Sequence, residues 1–251
     1  MLKAFFGITI LVYVLMGILL FANQRNQIYF SVPEVEINLA ESFSIRNKDV
    51  VLKGWVLNQG KSDAIIYFGG NAENVGYNIP QFKELFREYT VYLLNYRGYG
   101  GSSGKPTESS LYDDALHIYD EIKPNHNTIS VIGRSLGSAV ATYLASARDV
   151  QKLVLVTPFD SIRKIAQQVF WMYPMSLLLK DQYDSYLNVE KINADTLVVI
   201  AGNDGIIPRE SSDNLVAMFN QDQLSVVVIK DATHNSISNH EAFSTALDEF
   251  L

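Results

Sequence analysis

The chain has 251 residues, 48% of them hydrophobic, which is enough for one large domain with a substantial core. A net charge of -7 and the lack of a basic cluster argue against nucleic acid as a partner. The chain has no cysteine, which excludes a disulfide framework, a thiolate metal site and a cysteine nucleophile.

The amino-terminal segment Ala4–Ala22 carries no charged residue. As a helix it would span about 28 Å, close to the hydrocarbon thickness of a bilayer. A cleaved signal peptide would have a shorter apolar core and a small-residue cleavage site, and a buried core helix would have a polar face. We therefore interpret residues 1–25 as a single-pass membrane anchor and residues 26–251 as the folded domain. Lys3 and the terminal amine slightly outweigh Arg25, which predicts an extracytoplasmic domain.

The domain begins with segments that are typical of antiparallel strands. Residues 27–58 contain two or three such segments, including Val35–Ile45 and Val50–Leu57, with a turn predicted at residues 47–49 between these two. We expect them to form the entry to the sheet.

A buried strand from Ala64 then runs into Gly69, Gly70 and Asn71, and a helix is predicted from there to about Tyr89. Glycines let the backbone come close to a ligand. The backbone N–H of Asn71, alone or with that of the next residue, is therefore a candidate oxyanion donor. The alternative is an ordinary turn between a strand and a helix.

The next predicted strand is Val91–Tyr96, and the predicted helix after it is Glu108–Ile122. Between them, residues 100–104 match the pattern G-x-S-x-G, but no apolar-periodic helix follows them, which favours a flexible loop. Asp113 and His117 on the helix have the spacing of two metal ligands. A solvated helix face explains them better, and we expect no metal site.

A second G-x-S-x-G pentapeptide, residues 133–137, lies in a different context. A buried strand precedes it and an amphipathic helix follows it, as a nucleophile elbow requires. Ser135 would occupy the strained apex of this turn, with Gly133 and Gly137 removing the Cβ atoms that would collide there. The N–H of Leu136 would then point at the group that the serine attacks.

Two further buried strands end in acids, Asp160 and Asp204, and the last strand, Leu224–Ile229, is followed by His234. A closing helix is predicted from about Ser238. Residues 161–194 interrupt the alternation of strand and helix; they are aromatic and apolar, which fits a short lid with an acyl pocket or an ordinary helix at the sheet edge.

Strand and helix alternate from residue 64 onward, which predicts a mostly parallel sheet with helices on both faces. Ligands bind beyond the carboxyl ends of the strands in such sheets. Ser135, Asp204, His234 and the turn at Asn71 all fall at that edge.

The residues at this edge can perform nucleophilic catalysis. A serine hydroxyl needs a base, which His234 supplies, and the acid Asp204 would orient the imidazole. Asp204 is preferred to Asp160 because its strand immediately precedes the last one, and Asp231 fits a loop position better. The other three histidines precede the nucleophile or lie in the last helix.

Several segments together resemble the amino-terminally anchored α/β-hydrolase-domain proteins, near the serine aminopeptidase and monoglyceride lipase-like enzymes. The resemblance covers about residue 24 to the end, and the matching segments are residues 68–72, 95–104, 133–137, 158–161, 202–208 and His234. It implies Ser135 as nucleophile, Asp204 as acid, His234 as base, and the Asn71 and Leu136 amides as oxyanion donors.

The chain departs from the pattern of this family at two positions. Asn95 stands where aspartate is common, and Gly69 stands where the family usually has histidine. Neither position belongs to the triad, but the glycine could loosen the support of the oxyanion loop.

The resemblance and the anchor together predict an α/β-hydrolase fold and a serine hydrolase that cleaves ester or thioester bonds of a lipid-like acyl substrate. Such an enzyme uses no organic cofactor and no metal. The alternatives are an amidase or peptidase with the same triad, and a non-catalytic membrane-bound binding protein on the same scaffold.

Overall fold

The computed structural model describes residues 2–251; Met1, the first residue of the predicted anchor, lies outside them. The strands, numbered in chain order, are β1 (Glu41–Asn47), β2 (Val50–Leu57), β3 (Asp63–Phe68), β4 (Tyr89–Leu94), β5 (Thr128–Arg134), β6 (Lys152–Val156), β7 (Asp195–Ala201) and β8 (Leu224–Ile229). The α-helices are α1 (Leu2–Ile28), α2 (Ile79–Leu85), α3 (Glu108–Ile122), α4 (Leu136–Ala147), α5 (Ile162–Val169), α6 (Met175–Leu178), α7 (Arg209–Val216) and α8 (Glu241–Phe250).

All of these strands form one sheet in the order β1-β2-β4-β3-β5-β6-β7-β8. The six strands from β3 to β8 are parallel to one another, while β2 runs antiparallel to both of its neighbours. The parallel strands therefore present their carboxyl ends at one edge, where the loops that follow them meet.

The core lies on both faces of this sheet because successive strand residues point to opposite sides. Ile66 belongs to the cluster that contains Leu111 of α3 and Leu144 of α4, whereas Ile65 belongs to the cluster that contains Phe82 of α2 and residues of α8. The predicted fold class, a mostly parallel sheet covered by helices on both faces, is thereby confirmed.

Helix α1 extends beyond the predicted apolar segment at both ends. By length and composition it is the one helix among residues 2–251 that could cross a membrane. Its apolar side chains from Leu2 to Leu19 are mostly exposed, whereas Gln24 is buried. Tyr13 stacks on Tyr173 with ring centroids 4.6 Å apart, so the helix also contacts the segment between β6 and β7.

Four predicted elements were wrong in their bounds. The strand predicted at Val91–Tyr96 is Tyr89–Leu94, and the closing helix predicted from about Ser238 begins at Glu241. The strand predicted at Val35–Ile45 begins only at Glu41, because Glu41 pairs with Val56 and β2 ends one residue later. The residues before Glu41 therefore have no strand to pair with.

The helix predicted up to Tyr89 is a 3₁₀ turn, residues 75–78, followed by the short α2. Asn74 caps the 3₁₀ turn by accepting from the N–H of Gly76, and Pro80 lies in the first turn of α2, where a missing N–H costs nothing. Tyr89 itself begins β4.

Candidate functional site

The turn between β5 and α4 has the geometry predicted for a nucleophile elbow. Ser135 takes the positive φ of 50° with ψ of -115°, which is strained for a residue with a side chain. A Cβ at Gly133 would lie 2.3 Å from the carbonyl oxygen of Gly137, and one at Gly137 would lie 2.0 Å from that of Phe68. Glycine at these two positions is therefore what permits the turn.

The structure brings together the three predicted triad side chains. Ser135 Oγ lies 3.0 Å from His234 Nε2, and His234 Nδ1 lies 2.8 Å from Asp204 Oδ2. These residues follow β5, β8 and β7, so sheet topology assembles a serine, an imidazole and a carboxylate that are far apart in sequence. His234 and Asp204 are both nearly buried.

The hydrogen bonds of Asp204 determine which nitrogen of the imidazole carries the proton. Burial opposes ionisation of this carboxyl, but hydrogen bonds from His234 and from the N–H groups of Ile207 and Ile206 outweigh it, and the pKa is held below its ordinary value. An ionised carboxylate only accepts hydrogen bonds, so Nδ1 donates to it. In the neutral ring Nε2 is then the acceptor for the hydroxyl of Ser135.

Gly202 explains how the acid and the histidine reach each other. A Cβ at this position would lie 2.3 Å from the carbonyl oxygen of Lys230, so only glycine lets the two chains approach this closely. Gly202 donates its N–H to Ile229 at 2.9 Å, and Asn203 donates to Ala232 at the same distance. The start of the loop after β7 is thus bonded to the end of β8 and to the loop that carries His234.

The loop after β3 supplies the second candidate oxyanion donor. Gly70 N–H donates to Glu73 at 2.6 Å, and Ala72 N–H donates to the side chain of Asn71 at 3.0 Å, so neither is free for an oxyanion. No hydrogen bond within residues 2–251 engages the N–H of Asn71. Leu136 begins α4, where backbone N–H groups have no intrahelical acceptor. The Asn71 and Leu136 amides stay predictions as oxyanion donors, and Ala72 is ruled out in this conformation.

Glu73 supports this loop and was not identified from the sequence. Its carboxylate accepts from Gly70 N–H, from Tyr67 Oη at 2.7 Å and from Asn78 Nδ2 at 2.6 Å. Tyr96 Oη donates to the carbonyl of Gly69 at 2.8 Å. The loop that carries glycine at position 69 is thus supported by the side chains of Glu73 and Tyr96.

The side chain of Asn71 contributes a further set of bonds. Its Nδ2 donates to the carbonyl of Ile28 at 2.7 Å, and its Oδ1 accepts from Phe30 N–H at 2.9 Å and from Tyr99 Oη at 2.8 Å. The end of α1 is thereby bonded to the loop. The sequence offered one signal for the support of this loop, a glutamate three residues after Gly70, and none for a contact between residues 28 and 71.

The rival acids lie elsewhere. Asp160 is buried, accepts from Ser211 Oγ at 2.6 Å and pairs with Lys164 at 2.7 Å, so its oxygens have other partners. Asp231 is exposed in the loop before His234. Of these three acids, only Asp204 is hydrogen-bonded to the imidazole of His234.

The other candidate residues have structural partners. In the first G-x-S-x-G match, Ser102 Oγ accepts from Lys53 N–H at 2.8 Å and donates to the carbonyl of Asn95 at 3.1 Å. Asp113 pairs with Lys48 at 2.9 Å, and His117 Nε2 donates to a backbone carbonyl. These contacts favour a loop at residues 100–104 and a solvated helix face at Asp113 and His117, not a second nucleophile or a metal site.

Comparisons with known proteins agree with this architecture. A family model described as alpha/beta hydrolase fold matches residues 63–179. The uncharacterized protein Rv2307c of Mycobacterium tuberculosis is 30% identical over 239 residues, which cover 88% of this chain and 85% of that protein. The uncharacterized membrane protein YNL320W of Saccharomyces cerevisiae is 33% identical over 135 residues, half of this chain and 48% of that one.

Among solved structures, the esterase Pf2001 of Pyrococcus furiosus superposes with a TM-score of 0.68 at 19% identity, covering 89% of this chain and 96% of that one. At this identity the likeness concerns the fold. Together with the matched family model and the relative from M. tuberculosis, it identifies the chain as a member of the α/β-hydrolase fold family.

Proposed function

We propose that this protein is a membrane-anchored serine hydrolase that cleaves carboxylic ester or thioester bonds through an acyl-enzyme. One observation carries the proposal: Ser135 Oγ lies 3.0 Å from His234 Nε2, and Nδ1 of the same ring lies 2.8 Å from Asp204. This is the arrangement that activates a serine for acyl transfer. The esterase fold of Pf2001 supports the same reaction class.

The proposed reaction has two halves. Ser135 Oγ attacks the acyl carbon while its proton passes to His234 Nε2, and the imidazolium is stabilised by Asp204. The oxyanion accepts from the N–H groups of Asn71 and Leu136. His234 then gives the proton to the departing alcohol or thiol, which leaves an acyl group on Ser135. A water molecule attacks this acyl group, its proton passes to His234 and then to Ser135, and the carboxylic acid is released.

The test is hydrolysis of a series of p-nitrophenyl esters, acetate to palmitate, by the full chain in detergent micelles. Ser135→Ala should lower turnover by about 10⁴-fold or more, because the nucleophile is lost. Ser102→Ala is the matched control, since it removes the serine of the other G-x-S-x-G match, and it should keep the turnover of the parent per folded molecule.

Two other outcomes would replace the proposal. If no ester is hydrolysed but a fluorophosphonate still labels Ser135, the reaction is that of an amidase or peptidase. If neither occurs, the protein is a binding protein on a hydrolase scaffold.

The membrane anchor is the second part of the proposal. Support comes from the length and composition of α1, from its exposed apolar side chains and from the yeast relative, which is described as a membrane protein. The full chain should stay with membranes after an alkaline wash. Mass spectrometry of the purified protein tests the alternative, because a mature chain that begins after Ala22 would show that the segment is a cleaved signal.

The proposed side of the membrane is the extracytoplasmic one. The excess of positive charge at the amino terminus over the single Arg25 supports it. In sealed cells, an external protease should reach the domain; protection of the domain until the membrane is permeabilised would reverse the orientation.

A further inference from the structure

An apolar cavity of about 180 Å³ lies between the carboxyl-terminal part of α1 and the helices α5 and α6. The lining on the α1 side includes Leu20, Phe21 and Ile28, and the facing side includes Ile165 and Leu178. Apolar cavities of about 150 Å³ bind a molecule the size of benzene. This one therefore has room for an alkyl chain of roughly six carbons.

The wall that α1 forms is held in place by specific contacts. Gln24 is only 7% exposed; its Nε2 donates to the carbonyl of Leu178 at 3.1 Å and its Oε1 accepts from Lys180 N–H at 2.6 Å. The next residue, Arg25, pairs with Asp181 at 2.8 Å. Because both the nitrogen and the oxygen of the Gln24 amide bond to the backbone of residues 178–180, the glutamine fixes α1 against this segment.

The same helix continues into the membrane-spanning part of the proposed anchor. The side chains from Leu2 to Leu19 are mostly exposed and apolar, and the cavity begins where that surface ends, at Leu20. Lys180 Nζ lies 4.4 Å from the ring centroid of Phe21 at this level. An alkyl chain in the bilayer could thus follow α1 to the cavity along an apolar surface.

The α1 wall of the cavity is bonded to one of the proposed oxyanion donors. Ile28, on the α1 side, accepts from the side chain of Asn71 at 2.7 Å. Gly70, the residue before Asn71, lies close to the serine, because a Cβ at Gly70 would be 3.7 Å from the Cβ of Ser135. The cavity therefore borders, through Ile28, the loop that lies against the reacting serine.

We propose that this cavity binds the acyl chain of a membrane lipid ester, so that the membrane helix itself forms one wall of the substrate site. The proposal rests on the function proposed above, because it names the substrate class of the same serine. Each methylene group moved from water into an apolar site strengthens binding about fourfold. kcat/KM should therefore rise with acyl length and level off once the cavity is filled.

The first test fills the cavity. Ala166 lines it, so Ala166→Trp should reduce the ratio of kcat/KM for the decanoate ester to that for the acetate ester by about tenfold or more. Leu177→Trp is the matched control, because Leu177 lies in α6 but its side chain is 80% exposed. This control should leave the ratio unchanged, and thermal unfolding checks that both variants are folded. An unaltered ratio in the Ala166 variant would overturn the proposal.

The second test does not depend on turnover. The full chain with Ser135→Ala is placed in vesicles that contain a phospholipid with a photoreactive diazirine in its acyl chain, irradiated and digested. Cross-links are expected on residues 20–28 of α1 and on α5 and α6. Cross-links confined to residues 5–19 would overturn the cavity proposal, whereas lack of ester turnover by the parent would overturn the proposed function alone.

Discussion

Arg134 Nη2 donates to the carbonyl of His234 at 3.2 Å, so the residue before the proposed nucleophile holds the backbone of the proposed base. Arg134 Nη1 also lies 3.7 Å from the carboxylate of Glu73, which accepts from Gly70 N–H. The arginine is largely buried between these partners. One side chain therefore joins the loop of His234 to the candidate oxyanion loop, and the serine lies beside it.

Arg134→Met is expected to lower kcat by about 10- to 100-fold with little change in KM, because the base and the oxyanion loop lose their shared support and shift relative to the serine. Arg134→Lys should recover part of kcat, since lysine restores the charge but lacks the forked donor. Arg209→Met, which removes an exposed arginine paired with Asp213, is the control and should leave both constants unaltered. Equal losses in the Met and Lys variants with a changed KM would point to a general structural role.

Asp204→Asn should lower kcat by about 10⁴-fold while the protein stays folded. The N–H groups of Ile206 and Ile207 hold the amide oxygen, so the amide NH2 faces Nδ1 and donates to it. The imidazole then has the wrong tautomer to take the proton of Ser135, and its charged form loses the carboxylate that stabilises it. Steady-state ester hydrolysis measures this, with Asp231→Asn as the exposed control. If Asp160→Asn were the variant that lost activity and Asp204→Asn kept it, the acid would be assigned wrongly.

Gly137→Ala should destabilise the fold, because the new Cβ would lie 2.0 Å from the backbone oxygen of Phe68, which cannot move without disturbing β3. We expect a loss of roughly 3 kcal/mol in the free energy of unfolding. Gly205→Ala is the control, because a Cβ at this position would have no atom within 4 Å apart from its chain neighbours. The free energy of unfolding of this variant should stay within about 0.5 kcal/mol of the parent. Thermal unfolding compares the two, and equal midpoints would contradict the tight packing of the elbow.

Glu108 provides a test of pH dependence. Burial and the nearby charge of Asp181 raise the pKa of this carboxyl above its ordinary value, although hydrogen bonds from the N–H groups of Tyr183 and Gln182 oppose the shift. A carboxyl whose pKa is raised by folding contributes stability below its unfolded pKa and loses that contribution as the pH rises through its folded pKa.

The wild-type chain should therefore lose stability relative to Glu108→Gln as the pH rises from about 4 to 7. The neutral glutamine has no such titration, so the difference between the two unfolding curves isolates the carboxyl. Glu121→Gln, an exposed change on the same helix, is the control. A difference that is constant over this range, or that grows in favour of the wild type, would contradict the raised pKa.

The sequence pattern predicted those elements whose structure depends on residues close together in the chain. Helix α3 begins and ends at the predicted residues, Glu108 and Ile122. Its start is local because Thr107 and Ser110 form a capping box there. The elbow at Ser135 is also local, since the glycines on either side act through steric contacts within a strand, a turn and a helix. The alternation of buried strands and helices then assigned Ser135, Asp204 and His234 to one edge of the sheet.

Features that depend on distant contacts could not be predicted in the same way. The segment before Glu41 alternates like a strand, yet its partner strand ends, which no local window shows. The bonds from Arg134 to His234 and from Asn71 to Ile28 join residues far apart in the chain. The contacts of α1 with residues 172–181 are likewise tertiary, and no local window shows them.

Chemical labelling of the nucleophile tests most directly whether Ser135 and His234 act as nucleophile and base. The full chain in detergent is treated with a fluorophosphonate, digested, and the modified residue is identified by peptide mass spectrometry, with His234→Ala treated in parallel. We expect one adduct, on Ser135, formed at least about 100-fold more slowly in the His234 variant because the base is missing. An adduct on Ser102, or labelling of Ser135 at the same rate without His234, would contradict this assignment.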